Sequence, residues 1–435
     1  MTGPVDAVRA PVPPRRGAGG SAASGAGDPA AVGGMPRPAV PWWRRLLVPV
    51  GIPVLLYVLA RLVDVVLIAV ASRHQMALPV GSVPGVFIDQ GQPANPGYLG
   101  MTTHWDGQWY QAIATHGYPT TASGATADEL WRWAFPPVFP MTVAAVTAVT
   151  GLSFAAAATL VNGVAGAVAM VLLFALVSRT GGRHLATVAV ALTSVFVSAP
   201  VLQLAYSEAI GFALLLGALL LLQRRRYGWA LLVVLALSLT RLVGAPLALV
   251  VAAHLWHRVR SEGRSSVRPG EWVGATALAA LSVGGVLLWP LVGSLVVGPI
   301  GADRVGDVTA RPAAWLVGAR DSLGWSGLAF VVLVAVVLIL VALAERSRPW
   351  GVELRSWSWA YPLFLLAVSG VNPGILRYLL LAAPTLGLAL AGMPRPGRPG
   401  VARSAWLVVL VLVLVWAQWW YLDGYLVIRG PSHTI

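Results

Sequence analysis

The chain has no cysteine and no lysine, so its 30 basic residues are all arginine. The missing cysteine excludes disulfides, thiolate nucleophiles and cysteine-based metal sites. Charge is scarce altogether. Only 11% of the 435 residues are charged and 16 are acidic, while 57% are hydrophobic and the mean hydropathy is +0.75. A soluble domain carries about 25% charged residues, so this shortage excludes a large soluble core and fits a membrane protein. A net charge of +14 ordinarily points to nucleic acid or acidic lipid. Here the arginines fall in short loops between apolar runs, so they are read as topology signals and no nucleic-acid partner is expected. The seven histidines form no His-Glu-x-x-His or similar ligand pair, and no catalytic metal or cofactor is expected. Asp303 and Asp307 share a loop that could hold a divalent cation, but the pattern is unspecific. No Walker or dinucleotide glycine pattern is present; the glycines lie inside apolar runs, where small residues allow close packing.

Residues 1–41 are rich in Pro, Gly, Ala and Ser and are expected to be a disordered cytoplasmic tail. The remainder, 42–428, reads as an all-α, polytopic membrane domain, with 429–435 a short extracytoplasmic tail. Leu46–Val70 exceeds the ~20 residues needed to span hydrocarbon and follows an aromatic and cationic anchor, Trp42 to Arg45. A long polar loop, 71–133, comes next. Further apolar runs follow at about 137–150, 154–177, 185–200, 206–222, 229–241, 243–256, 272–292, 326–344, 359–371, 375–391 and 405–425. They predict about eleven transmembrane helices, some tilted, half-length or re-entrant. With the N-terminus in the cytoplasm, 21 of the 30 arginines fall inside. One segment resists: 137–177 must make one net crossing, which makes 137–150 a re-entrant or interfacial helix. The scheme leaves five polar surfaces outside: 71–133, 198–208, 240–244, 297–325 and 371–377.

The chemistry-bearing residues lie on these surfaces. His104-Trp105-Asp106-Gly107-Gln108-Trp109-Tyr110 opens a short helix in the first loop that ends at Gly117 and Pro119. Trp105, Trp109, Ala112 and Ile113 share one face, as in a helix lying in the headgroup layer. Asp106 starts this helix and can either cap it or serve as a base, roles that conflict because capping lowers a carboxylate's pKa. Arg241 interrupts an apolar segment ahead of Gly244 and Pro246, which places it near a hairpin tip. It either snorkels to the headgroups or binds a phosphate with its guanidinium fork. Tyr206-Ser207-Glu208 tips another hairpin, and Asn372-Pro373-Gly374 followed by Arg377-Tyr378 caps a third. Both can be polar turns or parts of a site. In the aromatic stretch Trp131 to Pro140 the prolines prevent a regular helix, and the rings suit an isoprenoid chain or a sugar face. Asp64, three residues from Arg61, is read as a structural ion pair.

Taken in order, these motifs resemble the PIG-V family, mannosyltransferases of the GT-C class that include the second mannosyltransferase of GPI-anchor assembly. Trp105-Asp106-Gly107-x-Trp109-Tyr110 with Ile113-Ala114 and Gly117-Tyr118 resembles the family's first-loop signature. Trp133-Ala134-Phe135-x-Pro137-x-x-Pro140 is similar to its aromatic–proline motif, and Tyr206-Ser207-Glu208 to its Tyr-Ser-Glu turn. Leu239-Thr240-Arg241 with Gly244 resembles its Thr-Arg segment, and Arg377-Tyr378 its late Arg-Tyr pair. Family members often carry a glutamate just before Trp-Ala-Phe, where this chain has Arg132, with Asp128 and Glu129 upstream. A lysine-free chain rich in Arg, Ala, Val, Gly and Leu suggests a GC-rich bacterial sequence, in which a GPI anchor would not be the product. The resemblance implies a GT-C-like bundle in the cell membrane with an extracytoplasmic active site. It implies transfer of a hexose, mannose in the family, from a polyprenyl-phosphate donor to a lipid or glycan acceptor among membrane lipids, with inversion. Asp106 is then the general base. His104, Trp105, Trp109, Tyr110, Arg132, Tyr206, Glu208, Arg241, Arg377 and Tyr378 bind substrate. A polyprenyl-lipid flippase, or a non-catalytic membrane partner of envelope assembly, is the alternative.

Overall fold

The computed structural model describes residues 47–82, 87–298, 343–368, 374–391 and 400–429, with scattered positions between 316 and 339. The expected tails apart from Arg429, the aspartates Asp303 and Asp307, and the turn residues Asn372 and Pro373 lie outside the described residues. Among the described residues there is no strand, only an isolated antiparallel bridge between Leu78 and Gln92 in the first loop.

The main helices are α1 (Ile52–Ala71), α2 (Asp106–His116), α3 (Val138–Thr150), α4 (Phe154–Ser194), α5 (Glu208–Gln223), α6 (Tyr227–Ser238), α7 (Leu247–Glu262), α8 (Pro269–Val297), α9 (Val352–Val368), the helical run α10 (Ile375–Leu390) and α11 (Val401–Tyr421). Among the described residues four helical segments are long and apolar enough to cross a membrane: Leu47–His74, Phe154–Ser194, Pro269–Val297 and Val401–Leu426. A fifth arises if Ala127–Ala134 and Val138–Thr150, bent by 101°, count as one span. The 13 residues of α3 rise only ~20 Å, too short for a crossing of ~30 Å; the bend is that of a broken span or re-entrant element. At Gly182 (φ 80°) α4 leaves helical geometry, so its 41 residues are two helices joined at a break. The apolar runs 154–177 and 185–200 meet there.

Burial is inverted relative to a soluble protein. Leu55, Leu59, Leu62 and Val66 of α1, Leu287, Leu291 and Leu295 of α8, and Val408, Leu412 and Trp416 of α11 are exposed, as faces toward lipid must be. The polar residues of α1 point inward instead: Arg61 pairs with Asp64 at 2.8 Å and donates to the carbonyls of Ala199 and Ser194. This agrees with the structural reading of that pair, since a charge facing hydrocarbon needs partners inside the bundle. α4 is the central post, packed against α1, α3, α5 and α10. Its approach to α1 requires Gly166, where a Cβ would lie 2.0 Å from the Tyr57 hydroxyl. α5 packs on α6, α6 on α8, and α7 on α8 and α9.

Candidate active site

Four segments far apart in sequence meet at one end of this bundle. The first is the turn before α2. The Gly107 N–H donates to the His104 carbonyl at 3.1 Å, and Trp105 sits inside that turn at φ 54°, ψ −121°, a conformation that normally demands glycine. Strain of this kind costs ~1–3 kcal/mol and persists only where the surroundings over-determine it. Here the Trp105 indole N–H donates to the Leu426 carbonyl at 3.2 Å and its ring stacks on Tyr425. The result is that Asp106 is the first residue of α2. Its side chain makes no capping hydrogen bond, and the helix is entered through Trp105 instead. Of the two roles the spacing leaves open, the cap is not the one adopted.

The second segment is the turn into α5. Asn162, buried in α4, donates to the carbonyls of Leu204 and Tyr206, and the Ala205 N–H donates to Thr102 in the first loop at 2.7 Å. These bonds fix Ser207 and Glu208 at the start of α5. The third segment is the break after α6, which supplies Arg241. Its side chain lies against Gly211, where a Cβ would be 2.7 Å from the Arg241 Cδ. The fourth is the start of α10. Tyr361 of α9 donates to the Tyr378 carbonyl at 3.0 Å and Trp357 to that of Leu381 at 2.9 Å, which aims Arg377 into the same space.

The charges alternate. Arg377 Nη1 is 2.7 Å from Asp106 Oδ2, and Arg377 Nε is 3.0 Å from Glu208 Oε1. The same Glu208 oxygen is 2.8 Å from Arg241 Nη1. Arg241 also donates to the Ser207 hydroxyl at 3.2 Å, and so does the Tyr110 hydroxyl at 2.8 Å. Tyr206 and Tyr378 each place a ring 5.0 Å from the Arg377 guanidinium, and Tyr378 also faces Arg241. Two carboxylates and two guanidinium groups thus neutralise one another where an isolated charge would cost several kcal/mol. Exposure separates the two acids. The Asp106 side chain is 30% exposed and Glu208 2%, so Asp106 alone of the two can meet a substrate. Burial holds the Tyr110 phenol well above its usual range, which leaves it a donor and not a competing base.

The cluster forms one wall of a cleft of 310 Å³. Asp106, Tyr110, Ser207, Arg241, Arg377 and Tyr378 give it a polar end; Phe135, Pro136, Leu242, Val243, Phe364, Leu365 and Val368 give it an apolar wall. Arg241 and Arg377 both line the cleft, where their guanidinium groups can meet an anion.

The other sequence-predicted residues are placed around this site. Glu208 joins the two arginines from behind, and Tyr206 packs under Arg377 while donating to the His104 carbonyl at 3.0 Å. His104 is fully buried, with Nδ1 3.4 Å from the Leu426 carbonyl. Burial lowers its pKa to about 4 and the carbonyl opposes this only in part, so the imidazole is neutral at ordinary pH. Trp105 anchors the strained turn. Trp109 stacks between Phe87 at 3.6 Å and Phe135 at 5.7 Å. The helix face expected among headgroups is therefore packed on protein. Arg132 donates to the Gly117 carbonyl at 3.3 Å and does not line the cleft. Glu129, the nearest acid to the position where the resembled family has glutamate, forms a capping box with Thr126. The backbone N–H and hydroxyl of Thr126 hold its carboxyl below the usual range. Ser207 belongs to the Tyr206-Ser207-Glu208 turn singled out in the sequence, and Tyr361, Phe364 and Asn162 are the contributors missed from sequence. Only Asn162, a lone amide in an alanine-rich apolar run, carried a signal.

Among the described residues no group of three or more His, Asp or Glu comes together as metal ligands do. No protein-family model matches the chain, and no curated protein matches it. Among solved structures the chain is similar to the oligosaccharyltransferase of Archaeoglobus fulgidus. The apo form aligns at TM-score 0.47 and 12% identity, covering 90% of this chain and 57% of that one. A form of the same protein, AglB, with an inhibitory peptide and a dolichol-phosphate aligns at TM-score 0.39 and 12% identity, with the same coverage of 90% and 57%. The chain spans little more than half the length of these proteins, and likeness at this level assigns it neither their activity nor their substrates.

Proposed function

We propose that the chain is a membrane glycosyltransferase that moves a hexose, mannose by the PIG-V resemblance, from a polyprenyl-phosphate donor to a lipid or glycan hydroxyl. One observation carries this reading: a single cleft joins an accessible carboxylate, two guanidinium groups and an apolar wall. A lipid-linked phosphosugar needs those three things, and no nucleotide-binding domain, because the donor arrives by diffusion in the bilayer plane. The phosphate sits against Arg241 and Arg377, and the prenyl chain follows the wall of Phe364, Leu365 and Val368.

In the reaction Asp106 takes the proton of the acceptor hydroxyl as that oxygen attacks the anomeric carbon. The bond from the anomeric carbon to the phosphate oxygen breaks, and the phosphate leaves with the electron pair, stabilised by the two arginines. One displacement inverts the anomeric centre. The Asp106–Arg377 pair gives the donor a second role. A phosphate competes for the Arg377 guanidinium, and its arrival loosens the contact that occupies the Asp106 carboxylate, so the base is released once the donor is seated.

The test is transfer from a radiolabelled polyprenyl-phosphate hexose in detergent, where transport cannot be scored. Wild type transfers label, and Asp106→Asn loses about 10²–10⁴-fold, the worth of a general base, while still binding donor. Absence of transfer by wild type under these conditions supports the flippase alternative, and full turnover by Asp106→Asn removes that residue from the role.

A further inference from the structure

The opposite end of the bundle holds a larger cleft that the glycosyl-transfer reading leaves unused. It measures 630 Å³ and is built from the break in α4, the α5–α6 turn, the last turns of α7 and the segment leading into α9. Its lining holds four arginines, Arg225, Arg258, Arg348 and Arg355, and two glutamates, Glu262 and Glu353; Glu271 and Glu345 pair with Arg258 and Arg348 from outside the lining. α5 runs from Glu208 at the first site to Gln223 at this cleft; its 16 residues separate the two by about 24 Å.

Two features mark this cleft as more than a solvated loop. The first is Arg225. The Arg226 N–H bonds to the Leu221 carbonyl and the Arg225 N–H to that of Leu222. This is a Schellman motif in which Arg225, at φ 59°, takes the left-handed position that usually belongs to glycine. Glycine would adopt that conformation without strain. Arginine there needs another reason, and its guanidinium reaches Glu262 across the cleft wall. A guanidinium has five N–H donors, so one carboxylate leaves capacity for a ligand. Arg348, 68% exposed and paired with the exposed Glu345, is a second such group.

The second feature is level. In the same turn of α7 as His257 and Arg258, Trp256 projects from the opposite face, 65% exposed, with the Arg260 guanidinium 5.3 Å from its ring. Trp272 of α8 is exposed beside it, and the two share a groove with Leu255 and Arg264. Tryptophan with arginine on a lipid-facing surface marks the headgroup layer, so the cleft opens at headgroup depth. The floor is committed to structure: His254 Nδ1 is 2.6 Å from Glu353, and Arg258 binds Glu271 at 3.0 Å. The groups at the mouth are those left to bind.

We infer that this cleft is a binding site for the phosphate headgroup of an anionic phospholipid, held by Arg225 and Arg348 at the arginine-rich end of the bundle. The inference rests on the chain spanning a membrane and is independent of the reaction at the other end. The experiment uses the full chain in neutral detergent, titrated separately with short-chain phosphatidylglycerol, phosphatidylcholine of the same chain length, and inorganic phosphate, with binding read by native mass spectrometry. Phosphatidylglycerol binds more tightly than phosphatidylcholine. Arg225→Gly weakens it about fivefold, the weight of one basic residue against an anionic headgroup, and adding Arg348→Gln weakens it by a similar factor again. Because glycine relieves the strained turn, Arg225→Gly keeps or raises the thermal midpoint, which separates lost binding from lost folding. Equal binding of the two lipids, or unchanged affinity in Arg225→Gly, overturns the site. Inorganic phosphate competing at concentrations equal to those of the lipid overturns the lipid assignment.

Discussion

Helix α5 joins two charged regions that solve the same problem differently. At its Glu208 end the charges are buried, and each guanidinium has a carboxylate within 3.0 Å. At its Gln223 end the ion pairs stand in the open, with Arg225 46% exposed on Glu262 and Arg348 68% exposed on Glu345. Buried charge has to be paired because desolvation costs several kcal/mol per ion; exposed charge does not, because water and counter-ions screen it. The same substitution type should therefore act on folding at one end and on binding alone at the other.

The largest contrast is Arg377→Ala. It removes one of the two partners of Glu208 and the ion pair of the part-exposed Asp106, and since a fully uncompensated buried charge costs about 3–5 kcal/mol, the loss approaches that range, visible as a drop in thermal midpoint together with loss of transfer. Arg377→Lys keeps the charge but not the planar fork that reaches Asp106 through Nη1 and Glu208 through Nε. It should recover most of the stability and little of the transfer. Recovery of both would mean that only the charge at position 377 matters. At the other end Arg348→Ala should move the midpoint by less than about 0.5 kcal/mol in equivalent stability, the usual effect of an exposed site.

Next in size is Gly211→Ala. The added methyl meets the Arg241 side chain at 2.7 Å from Cδ, and the guanidinium is pinned by Glu208 and Ser207, so the stem has to shift. Overpacking of this kind costs about 1–3 kcal/mol. Under the proposed mechanism, where Arg241 holds the phosphate, the loss falls on donor affinity and the chemical step together. A variant with unchanged kinetics would show that Arg241 acts only on topology.

Much of the first region was legible because its residues break local rules. Glu208 borders an apolar run and Arg241 interrupts one, and such residues stand out because they are costly near hydrocarbon; Asp106 stands out at the start of a short aromatic helix in the polar loop. The arginine-loop argument placed 71–133, 198–208, 240–244 and 371–377 on one surface, and the structure brings Asp106, Glu208, Arg241 and Arg377 from those segments within ion-pairing distance. Less was legible where aromatic residues look alike in sequence. Trp105, Trp109 and Arg132 resemble ligand-facing groups, yet they make protein contacts through Leu426, Phe87 and Gly117, and Tyr361, which reads as one more apolar-helix aromatic, lines the cleft. Helix number is hidden for a different reason. Apolar runs near 15 residues are too short to span unaided and long enough to be buried in a bundle, so α5, α6 and α10 need tertiary structure to be placed.

A smaller effect than those of Arg377 and Gly211 concerns His104, which lies at the buried end but outside the ion-pair chain. Its pKa, about 4 when folded, is near 6.5 in the unfolded chain. Between those values the unfolded state binds a proton that the native state refuses, and stability falls as pH falls wherever the unfolded state binds more protons. The contribution is therefore complete above about pH 6.5 and is lost progressively toward pH 4. A shift of this size corresponds to at most ~3 kcal/mol over the whole range and to much less over the accessible stretch from pH 7 to 5.5. His104→Asn removes the titrating group, so its thermal midpoint in detergent should decline less than that of wild type across this stretch, while the Asp106–Arg377 contact persists in both. Parallel midpoint curves would mean that His104 takes up a proton in the folded protein, and the imidazole two residues from Asp106 would then belong to the charged cluster instead of to its neutral support.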